Sequence, residues 1–425
     1  MGFVLKGAAV YTGGEFKKLD VYCSEGVIVS LSDSFGKDFP FAPGTDVIDF
    51  TGKYIFPGFT DVHVHLREPG FSYKETIFSG SRAAARGGYT TVCAMPNLNP
   101  VPDCLESLSV EREIISRDAV INVLPYGAVT VGEKGERLAD LDGMAPYVCA
   151  FSDDGHGVQR DDMMRSAMEK AKALGKIIAA HCEDNSLLHG GYIHAGRYAA
   201  EHGHRGICSE SEYGQIKRDI ALAAKTGCAY HVCHISTKES AALIRQAKHD
   251  GVNISCETAP HYLTLCDDDL QEDGRFKMNP PLRSSEDREA LIEALLDGTI
   301  DAIATDHAPH SAEEKSRGLE KSSMGITGIE TAFPVLYTRL VKTGLVPLEV
   351  IISRLTTSPR ARFGLGGGEI KAGAPADLTV FDLDEEYILN PGEFISMGKA
   401  TPFAGDSVFG RCLMTICGGK TAWRA

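Results

Sequence analysis

Eight short apolar runs, each closing on polar or turn residues, dominate the middle of the chain: YIFPGFTDVHVH, YTTVCAMPN, INVLPYGAVT, YVCAFSDDG, KIIAAHCED, AYHVCHIST, VNISCETAPH and IDAIATDHAPH. Helical stretches separate them, among them KETIFSGSRAAARGG, DDMMRSAMEKAKALG and TKESAALIRQAKHDG. The last two carry apolar residues at i, i+3, i+4 spacing and end at Gly. The polar ends fall near residues 65, 97, 127, 154, 183, 236, 260 and 308. Most of these separations are close to the roughly 30 residues of one strand–helix–strand unit. Two are longer, with inserts around 184–212 and 262–290. Strand alternating with helix eight times predicts an α/β fold, a (β/α)8 TIM-type barrel. An open doubly wound sheet is the alternative, but no G-x-G-x-x-G follows the first strand, so a dinucleotide site has no support.

The two ends read differently. KGAAVYTGG, KKLDVYCSEGVIVSL and GTDVIDFTGKYIF alternate over short runs, and so do PADLTVFDLD and SVFGRCLMTICGGKTAW at the far end. The pattern predicts one small β-sandwich-like domain built from residues 1–53 and 370–425, around a barrel of 54–369. Gly and Pro clusters at 57–59 and 364–377 mark the seams.

Composition narrows the function. The formal net charge of −15 argues against a nucleic-acid or anionic-membrane surface, both of which need clustered Lys and Arg. No run of about 18 uncharged apolar residues suggests a membrane span. The N-terminal MGFVLKGAAVYTGGEF has no long apolar core and no small-residue cleavage site, so no signal peptide is expected. The 12 cysteines are scattered without a C-x-x-C pair, which predicts buried thiols in a reducing cytoplasm rather than a disulfide framework.

Candidate chemistry sits where a barrel would gather it, at the C-terminal ends of the strands. His63 and His65 are two apart on a strand and so point the same way. His181 ends KIIAAH, His234 ends YHVCH and Asp306 ends IDAIATD. A lone His closing a strand is ordinarily a hydrogen-bonded histidine. Four of them with an Asp at one rim would be costly to bury unpaired, and a metal ion removes that cost. Nitrogen and oxygen donors suit Zn²⁺ best, with Mn²⁺ or Co²⁺ as alternatives. Cys182 and Cys233 adjoin these residues, and strand alternation turns both outward. The turn Asp153-Asp154-Gly155 offers a bridging carboxylate, and spacing does not choose between the two Asp residues. Arg67 continues the 63, 65 alternation at the mouth, and its planar fork suits a carboxylate.

The strings DVHVHLREPG, AARGGYTTVCAMPN, AHCEDNSL, HVCHISTKES, KMNPPLR and ATDHAPH, in this order, resemble the bacterial type I dihydroorotases of the amidohydrolase superfamily. The likeness runs from about residue 50 to 410 and includes TPFAG. It implies zinc-dependent, reversible cyclisation of N-carbamoyl-L-aspartate to L-dihydroorotate in pyrimidine biosynthesis. It implies two Zn²⁺ per chain, with His63 and His65 on one and His181 and His234 on the other. Asp154 would bridge them, and Asp306 would ligate the first and move the proton. Asn97 and His310 would join Arg67 on the substrate carboxylate, while Asn279 and the backbone around Met324-Gly325 would meet the ring amides. Many relatives carry a larger aromatic residue where Met324 stands. The related hydantoinases use a carboxylated lysine at the end of the fourth strand, and run 4 here has none. Hydantoinase or allantoinase chemistry is the competing reading. A non-catalytic scaffold for aspartate carbamoyltransferase is a further one, which the intact ligand set disfavours. The resemblance leaves open a homodimer and an association with aspartate carbamoyltransferase.

The remaining polar residues read as ordinary. His189, His194, His202 and His204 fall in the polar insert, His307 should point away from the site, and His261 stays unassigned. Lys315, Arg317 and Lys321 read as a solvated loop face.

Overall fold

The computed structural model describes residues 2–36 and 39–425. The N-terminal part forms strands β1 (Phe3–Thr12), β2 (Glu15–Ser24), β3 (Val27–Ser32), β4 (Asp46–Asp49) and β5 (Tyr54–Pro57). Each of the eight apolar runs then supplies strand residues: β6 (Phe59–Val64), β7 (Tyr89–Ala94), β8 (Asn122–Pro125) with β9 (Gly127–Ala128), β10 (Phe151–Ser152) and β11 (Ile178–Ala180). After two short insert strands, β12 (Ile193–His194) and β13 (Gly206–Ile207), come β14 (Tyr230–Val232), β15 (Ile254–Thr258) and β16 (Ala302–Ile303). The chain closes with β17 (Leu378–Ile388), β18 (Ser407–Cys417) and β19 (Lys420–Arg424).

Helices fill the intervals as the periodicity predicts. Ile77–Arg86 starts at Thr76, whose side chain accepts from Ser79 N–H. Lys238–His249 is capped likewise by Thr237. Asp161–Ala173 opens with Asp161 and Asp162 and closes with Lys170 and Lys172, each sign opposing the helix dipole. Their buried sides pack on the strands in the main apolar core.

The middle strands are all parallel. One sheet runs β16-β15-β14-β11-β10-β9 and another β6-β7-β8. The third run bridges them, since Tyr126 N–H donates to Ala94 O and Gly127 N–H to Ala150 O. On the far side, a parallel bridge joins Val64 to His307, with His65 N–H donating to His307 O. Hydrogen bonding therefore returns from the last strand to the first. Most of these strands are buried on both faces, which explains their near-continuous apolar runs.

Both termini build one eight-stranded sheet, in the order β19-β18-β17-β5-β1-β2-β3 with β4 beside β1. β5 lies between the two halves, parallel to β1 and antiparallel to β17. The sheet has its own apolar cluster, including Leu5, Val10, Ile55, Leu378 and Ile416. Phe56, Phe59, Phe333 and Phe381 tie it to the main core, the closest ring centroids lying 4.4 Å apart. Among the described residues, no helix is long and apolar enough to cross a membrane.

Candidate metal and substrate site

The polar ends of the parallel strands converge on a cavity of about 260 Å³. His65, Arg67, Asn97, Asp154, His181, His234, Asn279, Asp306, His310, Met324 and Gly325 line it, and His63 lies buried against Asp154 and Asp306.

Local backbone devices aim these side chains. The register of β6 against β7 slips between Asp61 and Val64. Asp61 Oδ1 accepts His63 N–H at 3.0 Å, and its Oδ2 accepts Thr305 Oγ1–H at 2.6 Å, pinning the first strand to the last. Arg67, His234 and Asp306 adopt positive φ angles of 62°, 33° and 46°, a region L-residues rarely hold. At Gly325 (φ 129°) an added Cβ would lie 2.7 Å from Ala308 O and 3.1 Å from His310 Nε2, so only glycine lets this loop approach the cavity.

His234 explains a departure from simple alternation. Cys233, expected to face outward, instead joins Ala179 and Ala304 in the inner apolar cluster. The left-handed turn at His234 allows two consecutive side chains on the inner side. Cys182 does face outward, its Sγ 3.3 Å from the Tyr230 hydroxyl.

The histidine tautomers follow from their partners. His63 Nδ1–H donates to Glu257 Oε1 at 2.6 Å, and His65 Nδ1–H to Asn97 Oδ1 at 2.9 Å. Their Nε2 lone pairs therefore face carboxylates. His63 Nε2 is 3.4 Å from Asp154 Oδ1. His65 Nε2 is 3.1 Å from Asp306 Oδ1 and 3.4 Å from Asp154 Oδ2. His234 Nε2 is 3.6 Å from Asp154 Oδ1 and 3.0 Å from His181 Nδ1. His63 Nε2, Asp154 Oδ1 and His181 Nε2 are buried without hydrogen-bond partners. Lone pairs facing carboxylates in a buried site repel unless protons or cations lie between them. This donor set fits divalent cations: His63, His65 and Asp154 form one convergent group, and Asp154, His181 and His234 another. The third group, His63 with Cys233 and Glu257, is already satisfied, because Glu257 also accepts from His231 Nε2 at 3.1 Å. Burial pushes the Cys233 thiol well above its ordinary range.

The paired Asp residues divide their work. Asp153 accepts from Val129 N–H, Thr130 N–H and the Thr130 hydroxyl, leaving Asp154 to face the imidazoles. Burial would raise the Asp306 carboxyl, but positive charge at His65, His63 and His234, carried by protons lying between the rings and the carboxylates, outweighs it and holds the carboxyl below its usual range.

Arg67 is buried, and among the described residues its guanidinium has no carboxylate within ion-pair distance. Its Nε donates to Pro309 O at 3.2 Å. Burial lowers its pKa to about 10, so it stays charged. Asn97 keeps its amide nitrogen for the cavity. Asn279 Nδ2 donates to Glu183 Oε1 at 3.0 Å, and its Oδ1 is buried without a partner. Lys315, read from sequence as solvated, is buried: its Nζ donates to Lys277 O, Ser323 O and Gly325 O at 3.0, 2.8 and 2.7 Å. It thus fastens the Asn279 loop to the Met324-Gly325 loop. Its four methylenes reach a gap that only the three-dimensional packing creates. Sequence reasoning also missed Glu257, although a carboxylate inside an apolar strand was a readable signal.

Known proteins resemble this chain over its whole length. The dihydro-orotase-like family model matches residues 52–240. A dihydroorotase of Bacillus cereus (strain AH820) is 49% identical over 427 aligned residues, covering 100% of this chain and 99% of the relative. A dihydroorotase of Bacillus anthracis (strain CDC 684 / NRRL 3495) matches equally. Among solved structures, the L-hydantoinase (dihydropyrimidinase) of Arthrobacter aurescens superimposes with a TM-score of 0.88 at 25% identity, over 99% of this chain and 96% of that one. The D-hydantoinase of Thermus sp. gives 0.85 at 26% identity, over 99% and 95%. With near-half identity sustained from end to end, the chain belongs to the dihydroorotase family.

Proposed function

We propose that this chain is a dihydroorotase, hydrolysing the ring amide of L-dihydroorotate and, in reverse, closing N-carbamoyl-L-aspartate. One observation carries the choice of substrate: Arg67 is a buried cation at a cavity wall with no carboxylate partner of its own among the described residues. Dihydroorotate brings a carboxylate to that position, whereas hydantoin and allantoin bring none. The parallel strands are read as a (β/α)8 barrel over 54–369, and the terminal sheet as a small β-sandwich-like domain of 1–53 and 370–425. The unpaired state of all 12 cysteines supports a reducing, cytoplasmic setting.

In this reading His63, His65 and Asp306 would hold one Zn²⁺ and His181 and His234 a second, with Asp154 shared between the two groups. Bound there, the metal supplies Lewis acidity, polarising the scissile carbonyl and acidifying a water molecule. Arg67, Asn97 Nδ2 and His310 anchor the substrate carboxylate, fixing the ring against the strand ends. Asn279 Oδ1 accepts a ring N–H, and the Met324-Gly325 backbone borders the opposite ring edge. Asp306, ionised at neutral pH, takes the proton of the attacking water as the new C–O bond forms. It then returns that proton to the ring nitrogen as the C–N bond breaks. Ring closure runs the same transfers backward.

The test is metal analysis of the purified protein with parallel assays on dihydroorotate and hydantoin. Turnover of dihydroorotate that disappears on chelation is expected. Arg67→Met should raise KM for dihydroorotate by roughly tenfold or more, since a charge-assisted pair is worth about 1.5–3 kcal/mol. Preference for hydantoin, or an unaltered KM in the variant, would overturn the assignment.

A further inference from the structure

At the cavity wall an ammonium, an imidazole and a carbonyl stand in line. Lys74 Nζ lies 3.2 Å from His310 Nδ1, and on the opposite edge His310 Nε2 lies 2.7 Å from Met324 O. A carbonyl oxygen cannot donate, so Nε2 must carry a proton to make its contact. An ammonium cannot accept, so Nδ1 must present a bare lone pair. Two groups compete with this assignment. Glu314 Oε2 is 3.5 Å from Nδ1. That carboxylate is already engaged by Lys74 Nζ at 2.9 Å and by Ser311 N–H at 3.0 Å. Arg67 Nη2, which can only donate, approaches Nε2, but at 3.4 Å, well beyond the 2.7 Å to Met324 O. Burial first, then the charges of Arg67 and Lys74, push the His310 imidazolium down to a pKa of about 3. Lys74 is no free surface lysine. Its side chain is 13% exposed, and its Nζ lies 5.6 and 5.5 Å from the ring centres of Phe71 and Tyr73.

We propose that Lys74 is a positioning residue that fixes His310 as the neutral Nε2–H tautomer, so that the ring offers one N–H beside Arg67 to an anion in the cavity. The substrate half of this statement rests on the reading of His310 as a carboxylate contact. The arriving carboxylate takes the Nε2–H from Met324 O, and Lys74 prevents the ring from turning that donor toward Glu314. With Nδ1 protonated instead, a bare nitrogen would meet the anion.

The experiment uses full-length, metal-loaded protein labelled with ¹⁵N-histidine, the His310 signals being assigned by their loss in His310→Gln. In the ligand-free wild type, a bare Nδ1 and a protonated Nε2 are expected from about pH 5.5 to 8.5. An Nδ1–H or imidazolium pattern there would overturn the proposal, even if no variant folds. In Lys74→Met, His310 should show mixed tautomers or titrate across this range. KM for carbamoyl-aspartate should rise about tenfold with kcat within about twofold, as for a lost charge-assisted contact. Lys74→Arg, which restores a cationic donor, should recover most of the affinity. An unchanged His310 pattern in folded Lys74→Met would refute the role of Lys74. A changed pattern with unchanged KM would uphold that role and refute the substrate contact of His310 instead.

Discussion

The inner side of the parallel strands carries two layers that meet within a residue or two. In the lower layer Val62, Cys93, Ala150, Ala179, Cys233 and Ala304 pack with Tyr126 and Phe363 into one buried apolar cluster. In the upper layer the same strands present His63, His65, Asp154, His181, His234 and Asp306, almost equally buried. Below, small side chains and rings fill the space and exclude water, so stability comes from packing and from removal of apolar area. Above, no apolar contact compensates for lost hydration, and each nitrogen or oxygen depends on an opposite charge or a cation. The lower layer also removes solvent from beneath the charges, which strengthens every electrostatic contact above it. Burial alone therefore says little about what a residue does. What distinguishes the layers is whether a side chain has a partner when it arrives there.

The contrast can be broken most severely at Asp306. Asp306→Ala should lower dihydroorotate turnover by roughly 10³-fold or more, the scale of a lost general base that also binds metal, while circular dichroism stays unchanged. Activity within tenfold of wild type would mean that the upper layer does not move the proton. Next, Glu257→Leu removes the acceptor that orients His63 and should weaken metal retention by about 10–100-fold. Competition with a chelator, read by metal content, measures this, and full retention would show that His63 needs no support from β15.

A third test concerns a histidine without a carboxylate partner. His261 is buried, its Nε2 unpaired, and burial lowers its pKa to about 4. The unfolded chain titrates near 6.5, so above that pH proton binding at this imidazole makes no contribution to stability. It destabilises the fold as pH falls from about 6.5 to 4, because the unfolded chain then binds the proton and the folded one does not. His261→Gln should therefore lose roughly 2 kcal/mol less stability than wild type between about pH 7.5 and 5, as measured by urea unfolding. Parallel losses in both proteins would show that His261 is charged when folded. The smallest effect is expected at the boundary between layers. Cys233→Ala should cost about 1 kcal/mol of stability, the scale of a lost buried heavy atom, and leave metal content unchanged. A loss of metal would move Cys233 into the upper layer.

Much of this was legible beforehand. All eight apolar runs yielded strands, because near-continuous burial leaves an unambiguous pattern. The predicted ligands meet because strand ends in a parallel α/β fold share one rim. What escaped was set by contacts distant in sequence. Lys315 looks solvated within SAEEKSRG, yet three carbonyls from two other loops claim its ammonium. The outward expectation for Cys233 assumed ideal alternation, and one left-handed residue undid it. The choice between Asp153 and Asp154 needed the Thr130 loop, whose donors occupy one of the two.

The positive φ angles at Arg67, His234 and Asp306 set durability against turnover. Each holds an L-residue where glycine or asparagine would rest more easily, at a cost of about 1–2 kcal/mol. Breeding this enzyme for heat resistance alone would find early gains at these three positions. On the proposed reading the winners would be tougher proteins with a silent active centre, so any such selection must score activity in the same round.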